Sequence, residues 1–447
     1  MATEDSPRRV AARSTAPLAR NLFRAALGLV MTDAIVLAFM RRFPNGIALC
    51  AAMLALAGLV YVATELGGEE RGSPRVELFA TLGIFTLFLA FYAVTCTLDP
   101  SPYNAHVRQA FAFVHGHTFI EAPDYIEHAQ VGAFSYQLHP PLPAILLIPA
   151  AAIWGMRVNQ TAFSLFFGAL DVALAWRLLR HFGLDLAARL WLTIFFGAGT
   201  IVWYETTIGS SWAVSMIVSA AFTMAALDEI FGPARPVRLG IWAGLGALAR
   251  YDLAFVWPIY LVMEYRRRRR FSALIAMLPG FVIAAIVYVA FNEIRYRSMF
   301  DRGVFIFAPV GTQLFGVKYF AANLYTLLMM APDLNYTFPY IHPRFTGQSL
   351  LLTSPAFLLA LRPSFRRVNA ALIGLAALIA IAPDLLYFTN GFAQFGTRHY
   401  LHAFPFLLVL MAMGMRRRAD QLTKILIVVS VVFIAYGMWH IGMYGFS

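Results

Sequence analysis

Cysteine and charge are both scarce in this chain of 447 residues. It has two cysteines, and Asp, Glu, Lys and Arg together make up 13% of it. Cys50 and Cys96 lie within or at the edge of apolar runs, so they predict neither a disulfide framework nor a metal-binding set. Soluble domains usually carry about a quarter charged residues, so an ordinary soluble fold is excluded. A strand followed by a glycine-rich turn is also missing, which excludes the common kind of nucleotide-binding domain.

Apolar residues take the place of charge, because 60% of the chain is hydrophobic. Runs such as 76–96, 272–291 and 422–439 approach or reach the roughly 20 residues that a helix needs to cross a bilayer core. Backbone polar groups in lipid must bond within the segment, and no barrel-type alternation is present. We therefore predict an all-α, polytopic transmembrane helical bundle. About 12 to 14 spans are expected from apolar length, near residues 24–41, 46–65, 76–96, 139–156, 161–179, 188–206, 211–231, 238–264, 272–291, 349–361, 368–386, 401–415 and 422–440.

Basic residues account for a net charge of +12, and they cluster at the ends of apolar runs. Examples are Arg266 to Arg270, Arg362 with Arg366 and Arg367, and Arg416 to Arg418. This is the positive-inside pattern of membrane proteins and not a groove for nucleic acid, so no nucleic-acid partner is expected.

The same pattern predicts how the chain is divided. Residues 1–23 form an uncleaved cytoplasmic tail, and residues 24–447 form a single transmembrane domain. Loops 97–138 and 292–348 then lie outside the cytoplasm and hold most of the polar residues.

Two points of topology stay open. Arg177, Arg180 and Arg189 also look cytoplasmic, although strict alternation would place them outside, so either 139–156 is re-entrant or one span is miscounted. The stretch 238–264 has Arg250 and Asp252 in its middle, so it is either one crossing or a hairpin of two short helices.

The first outside loop begins with a predicted amphipathic helix that lies on the membrane surface. Ser101 fits its N-cap, Pro102 fits its first position, and Gly116 fits the residue after its end. Its apolar face has helical spacing and consists of Tyr103, Val107, Ala110, Phe111 and Val114.

Asp99 comes just before this helix, where the positive end of a helix dipole favours an ionised carboxylate that could act as a base. The alternative is that Asp99 merely extends the cap. A dense polar set follows in the same loop and comprises Glu121, Asp124, Tyr125, Glu127, His128, Tyr136 and His139. A divalent metal is an alternative for these acids, but no fixed ligand spacing favours it.

Several motifs in a particular order resemble the GT-C superfamily of polytopic glycosyltransferases, which includes bacterial relatives of protein mannosyltransferases and of the aminoarabinose transferase of lipid A. The matching pieces are Asp99, the helix Tyr103 to His115, His139-Pro140-Pro141-Leu142, Gly244-Leu245 to Arg250, Thr353-Ser354-Pro355, and Phe395 to Tyr400 before Pro405. The chain departs from many relatives in two ways: Asp99 is followed by Pro100 where relatives carry paired acids, and a soluble C-terminal domain is absent.

The resemblance implies an inverting transfer of a sugar from a polyprenyl-phosphate donor to a lipid or glycan acceptor, without a required cofactor. It places the protein in the bacterial inner membrane, among membrane lipids, with its active site on the periplasmic side. Asp99 becomes the candidate base, and Arg398 the candidate cation for the departing phosphate. The substrate-binding candidates are Tyr103, Asp124, His139, Arg250, Arg398, His399 and Tyr400.

Other interpretations of these residues stay open. Arg398 could be an interfacial anchor, and Arg250 with Asp252 could be a buried salt bridge. Glu205 is a weaker site candidate. The rival functions are a transporter or flippase of a lipid-linked or anionic substrate, and a glycan polymerase or ligase. Two long outside loops with few midplane charges favour a surface active site.

Overall fold

The computed structural model of the protein describes residues 58, 74–121, 127–233 and 235–446. The predicted tail 1–23, the predicted spans 24–41 and 46–65, Cys50 and Asp124 lie outside the described residues.

The described chain is mostly helical. Its helices are α1 (Pro74–Val94), α2 (Ala105–Val114), α3 (Leu142–Trp154), α4 (Gln160–Leu179), α5 (Leu186–Ala198), α6 (Val202–Ile208), α7 (Ser211–Phe231), α8 (Pro236–Ala249), α9 (Trp257–Arg268), α10 (Phe271–Tyr296), α11 (Gly303–Phe307), α12 (Phe320–Leu328), α13 (Leu350–Thr353), α14 (Val368–Leu385), α15 (Phe404–Gly414) and α16 (Gln421–Tyr444). Two short antiparallel hairpins pair β1 (His128–Val131) with β2 (Phe134–Gln137) and β3 (Asp333–Leu334) with β4 (Ile341–His342). Turns of 3-10 helix include Tyr251–Val256, Pro355–Leu361 and Arg398–Ala403.

Six of these helices are long and apolar enough to cross a membrane, namely α1, α4, α7, α10, α14 and α16. Helices α5 and α6, which meet at a bend of 44°, would add a seventh span if they count as one. The chain is therefore a multi-pass integral membrane protein, as predicted. The described part does not reach the expected 12 to 14 spans, because 139–156, 349–361 and 401–415 form helices too short to cross alone.

Runs of basic residues lie at one side of the bundle, which we call the basic face (residues 177–185, 228–233, 235–238, 262–271, 361–369 and 414–421). Asp228 accepts hydrogen bonds from Arg177 and His181, both at 2.9 Å. The opposite side is the loop face (residues 95–104, 115–121, 127–141, 297–349 and 386–397). There, Arg295 at the end of α10 donates to the Gln137 carbonyl at 2.8 Å. The long helices run between these two faces.

The segment around α3 leaves the loop face and returns to it. The Asn159 side chain donates to the Leu98 carbonyl at 2.8 Å, and Thr161 donates to the Asp99 carbonyl at 2.9 Å. The end of α1 and the start of α4 therefore lie at the same face. Of the two alternatives, this contact supports a re-entrant 139–156, and it explains why Arg177 and Arg180 lie at the basic face.

Helices α8 and α9 form a hairpin, which was the second alternative for 238–264. The Arg267 guanidinium donates to the Ile230 carbonyl at 2.6 Å and to the Gly232 carbonyl at 2.7 Å, so α9 ends where α8 begins. With 14 residues, α8 reaches about 21 Å from the basic face. The tip, with Arg250 and Asp252, thus lies inside the bundle.

Two glycines allow α8 and α10 to touch backbone to backbone. A Cβ atom added at Gly240 would lie 2.1 Å from the Met277 carbonyl oxygen, and one added at Gly280 would lie 2.1 Å from the Gly240 carbonyl carbon. Small residues at such crossings are how membrane helices gain van der Waals contact. The hairpin is thereby held against the long helix α10.

We expect Gly240→Ala to destabilise the protein by about 1–3 kcal/mol, because the clash is with backbone that cannot move aside. The measurement is the thermal unfolding midpoint of the detergent-purified protein. Gly83→Ala in α1 is the control, since nothing lies within 4 Å of its added Cβ. Equal midpoints for the two variants would contradict the close crossing.

The surface helix is shorter than predicted and more deeply packed. It begins after Asn104, which takes the N-cap position expected for Ser101, and it ends at Val114. Its polar residues His106 and Gln109 are fully buried, because α2 packs along α3 as well as facing lipid. The second loop is also shorter than predicted, since residues 292–296 belong to α10.

Candidate active site

Five charged or titratable side chains meet at the tip of the α8–α9 hairpin, and we call them the Arg250 cluster (Arg250, Asp252, Asp384, His399 and His402). The Arg250 guanidinium donates to Asp252 at 2.7 Å and to both carboxylate oxygens of Asp384 at 3.3 Å. Asp384 lies in the last turn of α14, where the negative end of the helix dipole disfavours a carboxylate. The guanidinium offsets that cost. Arg250 and Asp252 thus form a salt bridge, which is half-buried, and a functional role for the pair stays a prediction.

The two histidines reach Asp384 from the 3-10 turn Arg398–Ala403. His399 Nδ1 lies 3.3 Å from one Asp384 oxygen, and His402 Nε2 lies 3.9 Å from the other. His402 Nε2 also bonds to the Ala380 carbonyl at 2.9 Å, and because a carbonyl only accepts, this nitrogen carries the hydrogen. The turn is thus tied to the end of α14.

Asp252, Asp384 and His402 could also be considered as metal ligands, since their ligand atoms all lie within 4.8 Å of one another. The Arg250 guanidinium, however, donates into both carboxylates and occupies the place that a cation would take. A metal ion would have to displace a buried, paired arginine. The donor set therefore fits an ion-pair cluster better than a metal centre.

Arg398 is buried, at 7% exposure, beside this cluster. It donates to the Phe392 carbonyl at 2.5 Å, and its guanidinium lies 4.8 Å from the ring centroid of Trp212. The Trp212 ring in turn lies 4.8 Å from the ring of Tyr103. Arg398 and Tyr103 thus both contact the indole ring of Trp212, although the two residues are far apart in sequence.

Glu205 and Glu127 are the carboxylates whose charges act most strongly on Arg398. Glu205 is fully buried, and both its carboxylate oxygens lack a hydrogen-bond partner among the described residues. A buried carboxylate without hydrogen bonds is costly to keep unless a nearby cation attracts it. Arg398 is the cation whose charge acts on Glu205. The structure therefore makes Glu205 a stronger site candidate than its sequence context did.

His139 lies at the loop face and is close to Glu127. Its Nε2 atom is 3.8 Å from a Glu127 carboxylate oxygen, and its ring is 5.5 Å from the ring of His106. His106 Nε2 bonds to the Ser211 carbonyl at 2.9 Å. Burial, with a smaller effect of His139, lowers the pKa of His106 to about 3, so His106 stays neutral near pH 7.

Asp99 is exposed at the start of the first loop. In the part of the chain that the structure describes, its carboxylate has no hydrogen bond or ion pair, and only its main-chain oxygen is held, by Thr161 at 2.9 Å. The structure therefore does not bring Asp99 into contact with Arg398. Its role as a base stays a prediction.

An apolar groove of about 390 Å³ runs along α14 and α15, and Tyr400 is one of its lining residues. It is lined by Leu327, Leu350, Ala360, Leu361, Phe365, Ala371, Gly374, Leu375, Ala377, Leu378, Ile381, Tyr400, Ala403, Leu407 and Leu410. Tyr400 follows Arg398 and His399 in the chain, and Asp384 lies one turn beyond Ile381 on α14. The groove therefore includes neighbours in sequence of Asp384 and His399, although no member of the Arg250 cluster lines it.

Sequence reasoning missed Asp384 and His402 and gave no particular role to Glu127. Asp384 is the only acid in its apolar run and follows Pro383, which was a usable signal of a special position. His402 comes four residues after Arg398, which places both on one short turn. The partnership with Arg250, 134 positions away from Asp384, has no local signal.

Comparisons with known proteins do not assign the chain to a family. No family model matches it, and no similar curated protein and no similar solved structure were found. The geometry of the described residues is therefore the basis for assigning a function to the chain.

Proposed function

We propose that the protein is a membrane glycosyltransferase, which moves a sugar from a polyprenyl-phosphate donor to a lipid or glycan acceptor at the loop face. The observation that carries this proposal is an apolar groove whose lining residue Tyr400 lies two residues after the buried Arg398 in the chain. A long apolar tail joined to an anionic head is the ligand chemistry that matches this pair of features.

The groove suits the lipid tail of such a donor. Its volume of about 390 Å³ lies within the range of ligand pockets. Because Tyr400 lies two residues from Arg398, we expect a chain that fills the groove to have its head group on the Arg398 side. The tail is then solvated by leucine and alanine side chains, and the phosphate reaches a fixed cation.

Arg398 suits the departing phosphate. A guanidinium offers planar, bidentate donation to phosphate oxygens, and it keeps its charge in a buried place. The contact with Trp212 and the bond to Phe392 hold its orientation before the substrate arrives. Arg250, by contrast, is neutralised by two carboxylates, so we assign it the task of holding Asp384 and the turn with His399 in place.

The basic face would be cytoplasmic by the positive-inside rule, which puts the loop face and the site on the outer side of the membrane. A donor made in the cytoplasm would then reach the site after it has been flipped. In a bacterium this membrane is the inner membrane and the outer side is the periplasm.

The groove is tested with Leu378→Trp, which fills it from α14. We expect at least about tenfold weaker binding of polyprenyl phosphate to the detergent-purified variant, because the bulky indole takes the place of the tail. Ile283→Trp on the lipid-facing side of α10 is the control, since the two side chains are similarly exposed, at 61% and 59%. Unchanged binding by Leu378→Trp would contradict the groove as the tail site.

A flippase is the second candidate, because the α8–α9 hairpin and the bent α5–α6 pair resemble the interrupted helices of transporters. The two functions differ in their products. Proteoliposomes supplied with labelled polyprenyl-phosphate sugar and acceptor would show a new glycoside for a transferase, and only a change of leaflet for a flippase.

A further inference from the structure

The geometry points to Glu127 as the base that takes the proton from the acceptor hydroxyl, with His139 as its partner. This inference rests on the proposed transferase function. It goes beyond that function because it assigns the proton transfer to a residue other than Asp99.

The first support is a pair of polar atoms that face each other and have no hydrogen-bond partner among the described residues. Glu127 Oε2 and His139 Nε2 lie 3.8 Å apart, and both atoms are buried without a hydrogen bond to any residue that the structure describes. A hydroxyl that donates to Glu127 and accepts from His139 would satisfy both atoms at ordinary hydrogen-bond length, about 2.8 Å. An acceptor alcohol is such a group.

The second support is the surroundings of the pair. Arg295 holds the Gln137 carbonyl at 2.8 Å, which fixes the end of β2 two residues before His139. His106 lies behind His139 with its Nε2–H committed to Ser211, and it stays neutral. His139 is thus held in place by groups that do not compete for the proton.

The third support is that the other candidate carboxylates are less suited than Glu127 to act as the base. Asp252 and Asp384 are neutralised by Arg250, and Glu205 is fully buried, so it has no route for a proton to water. Asp99 is exposed, and its carboxylate has no hydrogen bond or ion pair with a described residue. Glu127 acts on the Arg398 charge, and its side chain is 27% exposed, so it alone of these combines both properties.

In an inverting transfer, proton removal from the acceptor accompanies the displacement of the phosphate. The acceptor O–H bond breaks, and its proton goes to the Glu127 carboxylate. The acceptor oxygen forms a bond to the anomeric carbon as the bond from that carbon to the phosphate oxygen breaks, and the electron pair stays on the phosphate beside Arg398. Glu127 then releases the proton to water at the loop face.

The test compares Glu127→Gln with Glu121→Gln, an exposed acid in the same loop, in proteoliposomes with polyprenyl-phosphate sugar and acceptor. Loss of a general base is expected to lower kcat about 10²–10⁴-fold in Glu127→Gln and to leave the control near the wild-type rate. Polyprenyl phosphate should bind both variants equally, which shows that Glu127→Gln still folds.

The pH profile separates a base from a structural residue. The wild-type rate should rise with pH through an acidic limb, and Glu127→Gln should lose this limb. The groups that face the pair are His106, Arg398, Asp301 and Tyr387, and none of them is altered in this variant. His139→Gln should lower kcat by a smaller factor and keep the limb.

The outcomes are distinguishable. A wild-type protein that forms no glycoside from polyprenyl-phosphate sugars overturns both the proposed function and this inference. An active wild type with Glu127→Gln at the same rate, or with an unchanged acidic limb, overturns the inference alone. In that case loss of activity in Asp99→Asn would return the base to Asp99.

Discussion

Replacing Arg398 by alanine is expected to lower kcat for sugar transfer about 10²–10³-fold, the usual effect of removing one fixed group that stabilises developing charge. The phosphate regains negative charge as the sugar leaves, and a buried guanidinium stabilises that charge far better than water does. Arg157→Ala is the matched control, because Arg157 is exposed at the end of the re-entrant segment. The measurement is initial rate in proteoliposomes at saturating donor.

Alanine at position 398 also removes the cation near Glu205, so a loss of folding has to be separated from a loss of chemistry. Arg398→Lys keeps the charge but not the planar fork, and we expect it to fold and to be less active than wild type. Full activity in Arg398→Lys and Arg398→Ala would leave Arg398 as an interfacial anchor.

Replacing Asp384 by alanine is expected to destabilise the protein by about 3–5 kcal/mol, because Arg250 would lose one of its two carboxylates inside the bundle. Asp384 is 7% exposed and also contacts His399 and His402, so no water compensates for the lost charge. Thermal unfolding in detergent measures the effect. Asp333→Ala is the control, since its ion pair with Arg344 is exposed and worth about 0–1 kcal/mol.

A similar unfolding midpoint for Asp384→Ala and Asp333→Ala would show that Arg250 finds water in the site. The cluster would then be an open, hydrated pocket and not the fixed anchor that we describe. Asp384→Asn refines the result, because it keeps the shape and removes only the charge.

Much of the fold was predictable from apolar run length. The predicted spans 76–96, 161–179, 211–231, 272–291, 368–386 and 422–440 all correspond to long helices within a few residues at most ends. The physical reason is that lipid leaves a long apolar run no structure other than a helix. The flanking arginines also marked the basic face correctly as a common side.

Shorter apolar runs were ambiguous, because a run of 13 to 15 residues can be half of a hairpin, a re-entrant helix or a bent span. The bond between Asn159 and Leu98 decided one case, and the bonds from Arg267 to residues 230 and 232 decided another. Each joins parts of the chain that local pattern does not relate. The end of the surface helix was predictable from Gly116, but its start was not.

The candidate site was likewise only partly predictable from the sequence. Arg398, His399, Tyr400, Tyr103 and His139 were singled out from motifs and loop position, and the structure places them around one region of the loop face. Their charged partners are Glu127, Glu205 and Asp384. These could be identified only from the structure, because the contacts join distant segments of the chain.

The sequence by itself determined that this protein is a helical membrane protein with its runs of arginine on one side, since the cost of placing polar backbone and basic side chains in lipid acts on each segment separately. Only the tertiary structure decided which charges neutralise each other and which stay available. Arg250 and Arg398 look alike in sequence, as lone arginines near apolar runs. Packing pairs Arg250 with two carboxylates and gives Arg398 no ion pair among the described residues, because the fold decides which neighbours each buried charge has.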